Sequence, residues 1–318
     1  MTRRVQSKLT ALVAVALVCA AGAGGLAGQG ARTGGGGSVR SVTIPVTLRL
    51  RREARQSEEL RPVNLTLLED GERQEILSTR SAGDRSPLYL AVLVQDDLVT
   101  SVANEIRGLA DFIRRLPAGS FVLVGYMRSG SVQIRQKFTS DLERAANALR
   151  IPAGTPSSAP YNPYVTIREA LKRFQGQPQG RRAALVVSDG LDASNGVSNS
   201  SPGQSIDLQR AISEAQRRGV AVHSIYAPTH STDRNPSLVG NAQGALARLS
   251  DETGGQAFFQ GTRAPVSFQP FLRQIEERLS RLIALTYLST HPKKGFHRIK
   301  IETTAEDAEL LYPAGHTR

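Results

Sequence analysis

The stretch Arg181 to Asp192 reads Arg-Arg-Ala-Ala-Leu-Val-Val-Ser-Asp-Gly-Leu-Asp, and it holds the carboxylate best placed for chemistry. Ala183 to Val187 is an unbroken apolar run, the pattern of a strand buried on both faces of a parallel sheet, and it stops at Ser188-Asp189-Gly190. Asp189 therefore stands at the carboxyl end of a central strand. In open α/β sheets that edge gathers ligands and metals, because loops from neighbouring strands converge there. The same Asp-Gly pair also reads as a plain turn that closes the strand.

Other chemistries lack their residues. There is no Gly-x-Ser-x-Gly elbow for a serine nucleophile, no His-Glu-x-x-His zinc helix and no Gly-Lys-Ser/Thr phosphate loop. Of the five histidines, His223 sits in a strand between Val222 and Ser224. His230, His291, His297 and His316 fall in loops or the terminal β segment without paired ligand spacing. Asp233 and Asp251 read as loop and helix-end residues, not as an acid/base pair. The expectation is a protein that is not an enzyme. Cys19 is the single cysteine and lies in the first segment, so the rest of the chain has neither disulfide nor thiolate chemistry.

Several elements must position Asp189. Residues 1–27 carry Arg3, Arg4 and Lys8 before an apolar run from Leu9 to Ala21, the layout of a signal peptide with Ala21-Gly22-Ala23 as cleavage site. That run is shorter than the roughly 20 residues of a membrane span. Export to the periplasm, envelope or exterior is expected, with no stable span in the mature chain. Residues 28–38, including Gly34 to Gly37, read as a flexible linker. From 39 to 82 the pattern is β: Val42 to Leu50 alternates at period two, and Val63 to Leu68 leads through Glu69-Asp70-Gly71 into Glu75 to Ser78.

Residues 87–282 alternate strand and helix. Leu88–Val94, Phe121–Tyr126, Val132–Arg135, Ala183–Ser188, Val220–Tyr226 and Ala257–Phe259 read as strands. Helical stripes separate them, such as Val102, Ile106, Leu109, Phe112 and Ile113, or Phe268, Phe271, Leu272, Ile275 and Leu279. This predicts an α/β fold with a doubly wound, mainly parallel sheet. Residues 283–318 return to β, with Leu285–Ser289 and His297–Thr303 joined through Pro292 to Gly295 as a hairpin. That hairpin is expected to pack with the 39–82 strands in a small β-sandwich flanking the α/β domain.

The formal charge is +12, and only six of 40 basic residues are Lys. The densest group, Arg49, Arg51, Arg52 and Arg55, has no aromatic neighbours for base stacking, so a nucleic-acid partner is not expected. Tyr126, Tyr161, Tyr164 and Tyr226 follow or flank strands; they read either as aromatic contacts for a partner or as half-buried packing residues.

The order of Thr66 to Gln74, Leu88 to Val94, Leu185 to Asp192, Asp251 to Phe258 and Phe296 to Ile301 resembles the von Willebrand factor A domains. More narrowly, it resembles exported bacterial proteins with a related domain. The resemblance implies a divalent cation, Mg²⁺ or Ca²⁺, held by an Asp-x-Ser-x-Ser loop, a Thr and an Asp, and open to a partner's carboxylate. Asp189 matches the last residue and Thr155 the Thr. The first loop, Gln95-Asp96-Asp97-Leu98-Val99-Thr100-Ser101, departs from the pattern in every register. Starting at Asp97 keeps Ser101 but places Val99 at a hydroxyl position; starting at Asp96 keeps Thr100 but places Leu98 there; starting at Gln95 loses the leading carboxylate. The candidate metal residues are thus Asp96, Asp97, Ser101, Thr155 and Asp189, in a degenerate site. The implied function is a secreted binding or adhesion module that engages a protein or cell-surface ligand. The alternatives are a metal-free structural component of the envelope and a metal-assisted hydrolase.

Overall fold

The computed structural model describes residues 39–50, 65–82, 86–156, 162–194, 196, 200–233, 235–304 and 308–318. Residues 1–38, expected from the sequence as signal peptide and linker and including Cys19, lie outside the described residues, as do Arg51, Arg52, Arg55, Val63 and Tyr161. In chain order the first strands are β1 (Arg40–Leu50), β2 (Leu65–Glu69) and β3 (Glu72–Arg80). The α/β part follows with β4 (Leu88–Gln95), α1 (Glu105–Arg114), β5 (Phe121–Arg128), β6 (Ser131–Thr139), α2 (Leu142–Asn147), α3 (Pro163–Leu171) and β7 (Arg181–Ser188). It continues with α4 (Ile206–Arg218), β8 (Ala221–Tyr226), α5 (His230–Asp233), α6 (Pro236–Thr253), β9 (Ala257–Phe258) and α7 (Gln269–Ser280). Strands β10 (Leu282–Ser289), β11 (Phe296–Thr303), β12 (Ala308–Leu311) and β13 (Gly315–Thr317) complete it.

One sheet has the order β6-β5-β4-β7-β8-β9, parallel throughout except for the antiparallel edge strand β6. Numbered by appearance within this sheet, the order is 3-2-1-4-5-6, the doubly wound arrangement. Its central strands are apolar at every position because both faces are covered. Along β4, Leu90, Val92 and Val94 enter one core with α1 and α7, whereas Tyr89, Ala91 and Leu93 enter the other with α3 and α4. Strand β7 divides likewise: Leu185 and Val187 go to the first core, Ala184 and Val186 to the second. Each of the Leu and Val side chains contributes about 1.5–3 kcal/mol when fully buried.

Local chemistry sets the helix ends. Ser205 caps α4 by accepting a hydrogen bond from the Leu208 N–H at 3.1 Å. Gly219 closes it in the left-handed region at φ 61°, where a Cβ would meet the Thr43 carbonyl oxygen at 2.5 Å.

The second sheet is antiparallel, in the order β12-β1-β10-β3-β2-β11-β13. Its core joins Val42, Ile44 and Val46 to Ile283, Leu285 and Tyr287 in the neighbouring strand, with Leu67, Ile299 and Ile301 on the same face. β10 and β11, adjacent in sequence and expected as a hairpin, are not neighbours. The β2–β3 hairpin lies between them, its tight turn built by Asp70 and Gly71 at φ 51° and 87°. Nor is this a two-sheet sandwich. β12 and β13 sit at opposite edges of one sheet, yet only Tyr312, Pro313 and Ala314 join them. At about 3.6 Å per residue that link spans at most about 14 Å, so the sheet curls until its edges nearly meet.

Candidate functional site

The carboxyl edge of the six-stranded sheet brings together the turn after β4, the segment before α3, and the turns after β7 and β8. Strand β4 ends at Gln95, which lies on its last pleat and is buried. Its amide works at both ends. The Gln95 Oε1 accepts from the Ser188 hydroxyl and from the Asp189 N–H at 3.2 Å, and the Nε2 donates to Asp97 Oδ1 at 2.9 Å. Asp189 in turn accepts from the Leu191 N–H at 3.1 Å and from Thr229 Oγ1 at 2.8 Å. Thr229 belongs to the turn after β8, which is also tied to the β4 turn by the Val99 N–H donating to the Pro228 carbonyl at 3.0 Å. One amide therefore stands between the two carboxylates, and one hydrogen-bond network closes across three loops.

The electrostatics follow from burial. The Asp189 carboxyl is pushed up to about 6, first by burial and then by the charge of Asp97, against the hydrogen bonds it receives. Asp97 is also raised, by burial first, with the charge of Asp96 adding to it. Gly190 follows at φ 70°, and a Cβ there would meet Leu246 Cγ at 2.5 Å and the Ala242 carbonyl oxygen at 2.7 Å. The turn after β7 thus packs directly on α6.

Asp96 lies in a different environment. Its wholly buried carboxylate receives Arg150 through two nitrogens at 2.6 and 2.9 Å, Arg128 at 3.0 Å and the Ala153 N–H at 3.0 Å. Burial raises its pKa, but the bonds from Arg150 and Ala153 and the positive charge outweigh that, and it stays below the ordinary carboxylate value. Arg150 also lies over the Tyr126 ring, 4.2 Å from its centre. The Asp96 carbonyl accepts from the Gly154 N–H at 2.9 Å, which fixes the 150–155 segment against the β4 turn.

Of the five residues read from sequence as cation ligands, Asp97 and Asp189 share one network, while Asp96 faces two guanidinium groups. Ser101 is exposed on a 3₁₀ turn spanning Thr100–Asn104, and Thr155 is exposed at the end of the segment that wraps Asp96. Among the described residues there is no group of three or more His, Cys, Asp or Glu able to hold a metal ion. The donor set fits a cation poorly: Asp96 has its oxygens filled, Val99 offers none, and Gln95 turns an N–H toward Asp97.

Thr229, Arg128 and Arg150 enter the site without a clear signal in the sequence. Gln95 alone had one, as the polar residue that ends the apolar run of β4. Tyr126, Tyr164 and Tyr226 are fully buried, so the reading of these three as partner contacts is corrected. Tyr164 is in α3 and donates from its hydroxyl to the Gly190 carbonyl at 2.6 Å, serving the edge from below.

The strand order, the antiparallel third strand and the loops at this edge define the class, a doubly wound α/β protein, which is the fold that the resemblance to the von Willebrand factor A domains implies. No protein-family model and no curated protein matches the sequence. Solved structures similar to it include BatB from Bacteroides thetaiotaomicron, with 14% identity and a TM-score of 0.41 over 61% of this chain and 97% of that one. An aerotolerance-related membrane protein from Bacteroides fragilis gives 14% and 0.41 over 61% and 98%. A von Willebrand factor type A structure from Catenulispora acidiphila gives 12% and 0.44 over 82% and 75%. No helix among the described residues is long and apolar enough to cross a membrane.

Proposed function

We propose that this chain is an exported, non-enzymatic binding module that engages a protein or cell-surface partner through the loops at the carboxyl edge of its six-stranded sheet. The observation that carries the reading is the closure of the Gln95–Asp97–Asp189–Thr229 network beneath that edge. It turns the buried polar groups on one another and leaves exposed Thr100, Ser101, Ile151, Thr155, His230 and Ser231 at the surface above. Ile151 is 60% exposed, a large apolar side chain at the rim of an otherwise polar surface. In this reading the Gln95 amide takes over the bridging task that a cation performs in a complete site, and partner binding needs no metal.

The test is capture of envelope proteins by the wild-type chain, by Ile151→Glu and by Leu77→Glu, an exposed residue of β3. Capture is run in chelator and again with millimolar Mg²⁺ or Ca²⁺. A partner lost with Ile151→Glu, kept with Leu77→Glu and indifferent to cation is the expected result. Retention by both variants would refute the edge as the binding surface, and binding restricted to added cation would refute the metal-free mechanism.

A further inference from the structure

At the opposite end of the β strands, near the start of β7, a hollow of about 330 Å³ opens between the two sheets. Arg40 of β1, Arg182 of β7, Arg217 and Arg218 at the end of α4, and His316 and Arg318 of the terminal segment line it. No acidic side chain does. Glu214, on the preceding turn of α4, pairs with both Arg217 and Arg218 at 2.7 Å. Among the described residues Arg40, Arg182 and Arg318 have no carboxylate within ion-pair distance. Five guanidinium groups thus share one side-chain carboxylate, beside the α-carboxylate of Arg318.

Two of the lining groups are buried with unmet polar atoms. Arg182 is 3% exposed; it donates to the carbonyls of Arg218 at 2.8 Å, Gln177 and Pro178, while its Nε has no partner. His316 is 8% exposed and its Nδ1 likewise has none. Carbonyl contacts at the end of α4 explain how Arg182 is tolerated, since a helix C-terminus favours a cation. They supply no countercharge, and an unpaired buried cation is costly.

We propose that this hollow is an oxyanion site that takes a phosphate or sulfate group, with Arg182 at its floor and the exposed Arg40 at its mouth. A tetrahedral oxyanion offers several acceptor oxygens to guanidinium forks arriving from different strands, and its multiple charge matches the uncompensated cations. The volume is in the range of small-ligand pockets and leaves room for a small ester carrying the anion. The site shares no residue with the carboxyl edge, so its occupancy and partner binding there are separable.

Titration calorimetry of the full chain with inorganic phosphate and pyrophosphate, against sodium chloride at matched ionic strength, tests this. Arg40→Glu is compared with Arg144→Glu, an exposed residue of α2, which packs on the other face of the sheet and makes the same change in net charge. Expected is binding that weakens at least tenfold in Arg40→Glu and stays within twofold of wild type in Arg144→Glu. Arg182→Lys, which keeps the charge but loses the fork, should weaken it as well; if that variant does not fold, the Arg40 comparison stands alone. Equal weakening in both Glu variants, or no heat beyond that of chloride, would overturn the site in favour of diffuse surface charge. Flotation with phosphatidic acid vesicles then separates sources: Arg40-dependent flotation places the phosphate on a lipid, and binding without flotation places it on a soluble ester.

Discussion

Replacing Asp189 by Asn should stabilise the protein at neutral pH although Asp189 sits at the heart of the carboxyl edge. Asn keeps the shape, and its Oδ1 still accepts from the Leu191 N–H. Its Nδ2 takes the place of the oxygen that Thr229 now faces, and the Thr229 hydroxyl turns to accept instead of donate. The charge is what changes. Burial and the Asp97 charge push the carboxyl up to about 6 in the folded chain from its ordinary 3.8, a difference of about 3 kcal/mol at roughly 1.4 kcal/mol per tenfold in proton affinity. Because the folded pKa is raised, the native state takes up its proton first as pH falls, and ionisation costs stability as pH rises from about 4 through 6. Above that window the wild-type chain carries the full cost, about 3 kcal/mol, and the Asn variant does not. Urea unfolding in chelator from pH 4 to 8 should show the two proteins equal at the acid end and the variant ahead by about 3 kcal/mol at pH 8. A difference that is flat with pH, or a variant less stable at pH 8, would refute the burial and Asp97 account.

Two further outcomes follow from the same structure. Gly190→Ala must hold a Cβ in the left-handed region and against Leu246 Cγ and the Ala242 carbonyl, so it should destabilise by about 2–4 kcal/mol in the same assay; a loss under about 1 kcal/mol would mean that the turn after β7 is free to move. Burial depresses His316 to about 4 and His223 to about 3. Folded pKa values below the unfolded one mean that the native state refuses protons which the unfolded chain accepts. These residues therefore withdraw stability as pH falls below about 6.5, and His316 alone accounts for about 3 kcal/mol by pH 4. In a wild-type urea series this acid loss opposes the gain from Asp189, and in Asp189→Asn it stands unopposed, giving a steeper decline between pH 6 and 4.

Much of the α/β part is legible in the sequence because its rule is local. Runs such as Leu88–Val94 and Ala183–Val187 lack a polar face, which only a strand covered on both sides tolerates. The position of Asp189 at a strand's carboxyl end follows from the same reading. The antiparallel sheet is less legible. Alternation identifies β1 and β11 as strands, but partner choice depends on which faces meet, and the sequence neighbours β10 and β11 are parted by a hairpin some 210 residues earlier. β12 and β13 are short and carry too few residues to show a period.

The edge site divides along the same line. Residue order alone shows carboxylates at Asp96, Asp97 and Asp189, and shows that the first loop lacks the full set of hydroxyls. Which carboxylate does what rests on groups distant in the chain. Arg150 reaches Asp96 across 54 positions, and Gln95 meets Asp189 across 94. The Arg150 contact makes one carboxylate the anchor of an ion pair, while burial and the charge of Asp97 lift the other toward neutrality against the hydrogen bonds it receives. Composition and periodicity determined that this chain builds a buried parallel sheet with acidic residues at one edge, because hydrophobic burial is a property of each strand by itself. Tertiary structure decided their charge states and partners, because desolvation and Coulomb interactions depend on what is brought within a few ångströms.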